Sequence, residues 1–262
     1  MDRKIRIATI IPVYNAKDYI VESIKSVYNQ KLSPNIINKI FIIYNNPTDQ
    51  TNIELENNFL QNLESEDIKN SFFISNQTEF QGIPQTRNHG LQCVFHDEIQ
   101  QGIRYDLIAN QDADDVWIDE NKLQKQVLFL EENKDIDILG TQYIGRYKNI
   151  KTKPEDYLQL ERKPLYHDEC LQWLLNGLNP IVNASVLFKR NVISNIGMYD
   201  DFFPSTEDMW FWYRAAFAGL KFANLEDNCL LYNISNNPKY SDSFPKTFSE
   251  MFKAILKTRK MK

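Results

Sequence analysis

A chain of 262 residues is long enough to bury a sizeable core, and its formal charge of −5 excludes a nucleic-acid backbone as partner. Its 8 glycines form neither G-x-G-x-x-G nor a Walker pattern, and its 3 widely spaced cysteines lack a C-x-x-C pair, which excludes the common phosphate loops and a thiolate zinc site and suits a reducing compartment. No apolar run reaches the roughly eighteen residues of a membrane span, and the run after Met1 is too short for a signal peptide, so a cytoplasmic location is expected.

The β-branched run Ile5–Ile11 is apolar on both faces, as a central strand is, and Pro12 ends it. Between Ala16 and Gln30, Tyr19, Ile20, Ile24 and Val27 share one helical face, so the loop Pro12–Asn15 joins strand to helix on the side where α/β sheets bind ligands. Lys39–Tyr44 reads as a second strand after the Pro34 turn. Asn45-Asn46-Pro47-Thr48-Asp49 is a dense turn signal before a polar helix, Thr51–Leu63. Phe72–Ser75 reads as a third strand and Ile83–His96 as a helix. Arg87, Asn88 and His89 lie near its start, where a cation and helix N-terminal amides suit an anion.

The stretch Tyr105–Leu130 organises the rest. Leu107, Ile108 and Ala109 have the composition of a short buried strand, and Asp112, Asp114 and Asp115 follow at its carboxyl end. Leu123, Val127, Leu128 and Leu130 then recur at helical spacing. Crowded carboxylates need a cation or strong donors, and hard oxygen ligands select Mn²⁺ or Mg²⁺. The alternative is a solvated acidic turn, with Asp119 capping the next helix.

Ile136–Ile144 reads as a strand, and from there to about Leu165 a Lys-, Pro-, Glu- and Tyr-rich stretch without period reads as a variable connection. His167–Asn176 is helical, Asn183–Phe188 strand-like, and Lys189–Ile196 a short helix closed by Gly197; the sequon at Asn183 is inert in a buried strand. In the segment Phe202–Gly219, Pro204 and Ser205 or Thr206 start a helix with Glu207 and Asp208 in its first turn. The helix dipole accounts for two carboxylates there, and the functional alternative is a general base. Trp210 and Trp212 beside them suit sugar stacking, although helical spacing also puts Trp210, Tyr213 and Phe217 on one core face. Ser243–Lys262 reads as a basic amphipathic helix, either docked on the domain or lying on an anionic membrane surface, so membrane contact is at most peripheral.

Four ordered segments, IIPVYNAKDYIVESIKSVYNQ, GIPQTRNHGL, QDADDVWIDENKLQKQVLFL and NASVLFKRNVISNIGMYDDFFPSTEDMWFWYRAAFAGLKF, resemble family 2 glycosyltransferases of the GT-A fold over about residues 5 to 235. The resemblance implies one Rossmann-like α/β domain over 1–240, a mostly parallel sheet flanked by helices, with 241–262 as a basic tail. It further implies a nucleotide-sugar donor, a divalent metal, and transfer with inversion to a hydroxyl of a glycan, lipid-linked or protein acceptor. By resemblance Asp112, Ala113 and Asp114 match the Asp-Xaa-Asp motif, Asp114 as metal ligand and Asp112 as ribose or metal-water contact. Asp208 matches the catalytic base, with Glu207 and Trp210 beside it on the acceptor side. Pro12, Tyr14 and Asn15 match the loop beside the nucleotide base, Asn45 belongs to the turn after strand 2, and Arg87 matches an arginine near the donor.

The chain also departs from the family. Where relatives carry Asp-Asp-Gly-Ser, with an aspartate on the base, it has Tyr44-Asn45-Asn46-Pro47, so Asn46 must take a glycine's left-handed φ. A UDP-sugar is the expected donor, with GDP- and dTDP-sugars as alternatives. Leu231–Ser235 lacks the arginine and histidine often found after the last strand, so no third protein ligand for the metal is visible, and the Gln-x-x-Arg-Trp motif of processive members is absent. Two other classes compete. A nucleotidyltransferase needs a glycine-rich loop after strand 1, which Pro12-Val13-Tyr14-Asn15 lacks, and a non-catalytic sugar-nucleotide- or glycan-binding descendant would tolerate the altered base loop.

Overall fold

The computed structural model describes residues 3–64, 66, 70–148, 157–203 and 206–235. They form a single α/β domain around one sheet. Its parallel half is β1 (Ile5–Val13), β2 (Ile36–Asn45), β3 (Phe72–Gln77) and β4 (Leu107–Asn110), in the order β3-β2-β1-β4. The connections run through α1 (Ile20–Tyr28), α2 (Thr51–Asn58) and α3 (Ile83–Gln101). Period-2 alternation sends successive β1 and β2 side chains into two cores. Ile7, Ile11, Ile40 and Ile42 meet Ile20, Ile24 and Leu55 of α1 and α2 on one face. Ala8, Ile10, Phe41 and Ile43 meet Leu91 and Val94 of α3 on the other. There α3 lies so close to β1 that a Cβ on Gly90 would come within 2.5 Å of Ile10 Cγ2.

Beyond β4 the sheet continues β8-β6-β9-β5. The strands β6 (Ile138–Lys148) and β9 (Phe222–Ser235) run parallel; β8 (Leu187–Lys189) lies antiparallel between β4 and β6, and the two-residue β5 (Val116–Trp117) antiparallel to β9. The remaining helices are α4 (Lys122–Glu132), α5 (His167–Leu175), α6 (Asn191–Ile196) and α7 (Glu207–Phe217), the last burying Phe211, Trp212 and Tyr213 in the second core. No helix among the described residues is long and apolar enough to cross a membrane.

Three expectations change. The connection from Gly145 to Leu165 contains ordered strand: β6 runs to Lys148 and pairs antiparallel with β7 (Tyr157–Glu161), Tyr147 stacking on Tyr157 at 4.6 Å. Its apolar period is hidden because Leu158 and Leu160 point to solvent. Asn183–Ser185 is a 3₁₀ turn rather than strand, since Ser185 Oγ bonds back to the Val182 carbonyl at 2.8 Å and takes the Thr141 N–H at 3.2 Å. The first helix begins at Ile20, because Ala16–Tyr19 is drawn into a turn where the Ala16 N–H donates to Thr51 Oγ1 at 2.9 Å. The start signals Pro204 and Ser205, the boundary at 240 and the terminal segment Ser243–Lys262 lie outside the described residues.

Candidate active site

Parallel pairing of β1 to β4 brings the turns after all four strands to the same sheet edge. The acidic turn follows β4, and its backbone is held by buried amides. Gln111 Nε2 donates to the Asp115 carbonyl at 2.7 Å and to Ser23 Oγ at 3.2 Å, and Ser23 Oγ donates to the Asp112 carbonyl at 3.1 Å. The far half of the sheet supplies a second clamp. The Asn233 N–H of β9 donates to Asp115 Oδ1 at 2.8 Å, its Nδ2 donates to the Asp114 carbonyl, and its Oδ1 accepts from Arg146 Nε at 2.6 Å.

The three aspartates therefore differ. Asp115 is buried; its Oδ2 has no hydrogen-bond partner among the described residues, and burial, then the charges of Asp114 and Asp112, push its carboxyl well above the usual range. Ala113 is buried between its neighbours. Asp114 is exposed, and the Asp112 side chain keeps 26 % of its surface open.

Arg87 ties this turn to the start of α7. It is 4 % exposed, its Nη2 donating to Asp112 Oδ1 at 2.7 Å and its Nε to Glu207 Oε1 at 3.3 Å. With its oxygen turned to the guanidinium, the Asn183 amide accepts from Nη2 at 2.8 Å and Nη1 at 3.0 Å. Burial alone would lower the guanidinium pKa, but Asp112 and Glu207 outweigh it and hold the group charged. Glu207, expected on the acceptor side, is buried against Arg87, and burial, opposed by Arg87 and reinforced by Asp208, pushes its carboxyl up to about 7.

Asp208 is half-buried one residue on. Its Oδ2 accepts from Asn179 Nδ2 at 2.7 Å and its Oδ1 from the Met209 N–H at 2.6 Å. Burial raises its pKa, and those two donors and Arg87 oppose the rise. Trp210 Nε1 donates to Asp200 Oδ2 at 3.2 Å, and its ring lies 5.1 Å from that of Phe203.

On the other flank, Pro12 remains in β1, paired with Ile43. Tyr14 is exposed, 4.7 Å from the Phe80 ring. Asn15 takes a left-handed φ of 45° while its Oδ1 accepts the Thr48 N–H at 2.8 Å. Asn46 has φ 48°, the conformation a glycine would supply. Asn45 is buried and exchanges two 2.8 Å bonds with the Gln81 backbone, so its amide is spent holding the loop after β3.

Arg87, Asp112, Glu207 and Asp208 thus converge, while Tyr14, Asn15 and Asn45 brace neighbouring loops. Sequence reading missed Asn183, Asn179, Asn233 and Arg146. Asn183 was hidden in a sequon, and Asn233 sits where the family's histidine was sought. Among the described residues no group of three or more His, Cys, Asp and Glu is arranged to hold a metal. The donor set still fits a hard divalent cation. Mg²⁺-type ions keep several waters and need one or two carboxylates beside phosphate oxygens, and the partly open Asp112 and exposed Asp114 offer two on one turn.

The fold is that of the GT-A class of sugar-transferring enzymes. Residues 8–197 match the profile of Glycosyl transferase family 2, and the chain belongs to that family. An uncharacterized glycosyltransferase of Methanocaldococcus jannaschii is 27 % identical over 245 residues, 92 % of this chain and 74 % of that one. S. aureus TarS 1-349 in complex with UDP-GlcNAc superposes with a TM-score of 0.63 at 18 % identity, over 96 % of this chain and 65 % of that one. The mannosyltransferase PcManGT from Pyrobaculum calidifontis in complex with GDP-Man and Mn²⁺ gives 0.59 at 15 % identity, over 86 % and 56 %. The chain thus spans less than two thirds of these two structures, and at such identities they establish the fold.

Proposed function

We propose that this glycosyltransferase is metal-dependent and inverting, moving a hexose or N-acetylhexosamine from a nucleotide sugar to a hydroxyl of a glycan, lipid-linked or protein acceptor. The observation that carries the proposal is Arg87, which joins Asp112 of the acidic turn to Glu207 and so brings Asp208 into the same site. Asp112 and Asp114 would hold Mn²⁺ or Mg²⁺, which when bound neutralises charge developing on the departing diphosphate. Arg87 adds a fixed cation beside Asp112. Asp208, oriented by Asn179, accepts the proton of the attacking hydroxyl as the new bond to the anomeric carbon forms and the bond to the phosphate oxygen breaks. A base separate from the metal turn suits a single displacement, hence inversion.

The donor proposed is a UDP-sugar, supported by the TarS complex, while the PcManGT complex keeps GDP-sugars as the alternative. Because Asn45 is bonded to Gln81, the nucleobase would meet the Tyr14–Phe80 pair instead. The spent Asn45 amide also favours a second reading, a non-catalytic nucleotide-sugar-binding protein. Calorimetric titration with UDP or GDP plus Mn²⁺ tests the shared premise. Saturable binding abolished by EDTA and by Asp114→Ala is expected; metal-independent binding, or none of either nucleotide, would remove it.

A further inference from the structure

Single displacement makes a demand on the acceptor that the donor half of the site does not meet. The attacking hydroxyl must enter opposite the departing diphosphate and within reach of Asp208, so the acceptor lies on the base side, away from Asp112 and Asp114. A hydrogen-bonded chain leads from Asp208 to the groups on that side. Asn179 Nδ2 donates to Asp208 Oδ2 at 2.7 Å, its Oδ1 accepts from the Ile181 N–H at 3.2 Å, and its carbonyl accepts from Lys163 Nζ at 2.8 Å. Lys163 Nζ lies 5.3 Å from the Trp173 ring centroid and 5.9 Å from that of Tyr143. Tyr143 in turn meets Tyr232 edge to face at 5.7 Å.

Strand register accounts for the tyrosine pair. In the parallel pairing of β6 with β9, Tyr143 stands beside Leu230 and Gly145 beside Tyr232, which sends both tyrosines to one face of the sheet. They rest on the core under α1 and α2, and like Trp173 each stays half-buried, with part of its surface open. Burial, then the charges of Asp115, Asp112, Asp114 and Asp208, hold the Tyr232 phenol well above its usual range, so Tyr232 stands near both the acidic turn and the base. These groups define the ligand. An aromatic face is electron-rich and attracts C–H groups polarised by neighbouring oxygens, and the flat C–H face of a pyranose offers several. A serine or threonine acceptor presents no such face, and an alkyl chain is ill-matched to the carboxylates and the cation nearby.

We propose that Tyr143, Tyr232 and Trp173 form the acceptor subsite and take a pyranose residue by stacking, so that the acceptor is a glycan. This rests on Asp208 being the base. The test is steady-state release of nucleoside diphosphate from a panel of UDP- and GDP-sugars, with methyl glycosides of neutral hexoses and N-acetylhexosamines, and their disaccharides, as acceptor probes. At least one probe should accelerate release saturably. Tyr143→Leu and Tyr232→Leu keep apolar contact with the core but lose the ring, and each should raise the KM of that probe about threefold to tenfold while donor KM holds. Tyr232→Phe, which keeps the ring, should stay within about twofold of the native value. Donor turnover in water that no glycoside accelerates, an unchanged probe KM in both leucine variants, or a raised donor KM instead, would overturn the subsite and leave the enzyme reading intact. No release from any donor would fall on the enzyme reading itself and take the subsite with it.

Discussion

Replacing Arg87 with methionine tests the electrostatic joint of the site. The side chains of Arg87 and Glu207 are 5 % and 7 % exposed, so removing the cation leaves Glu207 buried beside Asp112 and Asp208 without its partner. Breaking a buried pair from one side costs about 3–5 kcal/mol. The pH dependence identifies the cause. Burial pushes the Glu207 carboxyl up from its ordinary 4.5 to about 7, so the native state binds the extra proton and stability falls between those values as pH rises. Without Arg87 the native pKa moves higher still, and the fall continues past 7 at up to about 1.4 kcal/mol per pH unit. Urea unfolding of both proteins should therefore show a deficit of about 3–5 kcal/mol at pH 8.5 and roughly 1–2 kcal/mol less at pH 6. Adding Glu207→Gln to Arg87→Met should flatten that difference. A deficit below about 1 kcal/mol at both pH values, or one that widens unchanged in the double variant, would refute the reasoning.

Two further outcomes follow from contacts outside the acidic turn. Asn233→Ala removes the side-chain bond to the Asp114 carbonyl and the brace to Arg146 while the backbone bond to Asp115 stays; steady-state kinetics should show about a tenfold rise in donor KM and in the Mn²⁺ requirement, with kcat changed less. A lowered melting temperature with unchanged KM would reduce Asn233 to a structural role. Lys122 is buried, its Nζ donating to Gln126 Oε1 at 2.8 Å and lying 3.8 Å from the Trp117 ring centroid, and burial pushes its pKa from 10.5 down to about 7. The unfolded chain then binds the extra proton, so between pH 7 and about 8.5, below the range where the buried Cys170 and Cys229 thiols oppose the trend, stability should rise more steeply with pH in the native protein than in Lys122→Met, as urea midpoints would show.

The parallel half of the sheet was legible because β1 and β2 are buried on both faces and read as unbroken apolar runs. Asn46 was legible too, since Asn tolerates the left-handed φ of 48° that a glycine would otherwise supply. The strand β7 was not, because Leu158 and Leu160 face solvent and Tyr147, Tyr157 and Glu161 interact across the hairpin rather than with a core. Glu207 illustrates a different limit. Helix position placed it beside Asp208, but its direction depends on Arg87, 120 residues earlier. Likewise Asn183 and Asn233 reach the site only after β8 and β9 join the far half of the sheet, so no local pattern could reveal them.

The most direct test of the central claim is nucleoside diphosphate release from a panel of UDP-, GDP- and dTDP-sugars with Mn²⁺, comparing the native protein with Asp208→Asn. The account predicts metal-dependent release from one nucleotide class, slowed on the order of a hundredfold or more in Asp208→Asn while nucleotide affinity holds. Tight Mn²⁺-nucleotide binding without release from any donor, or equal rates in both proteins, would contradict it.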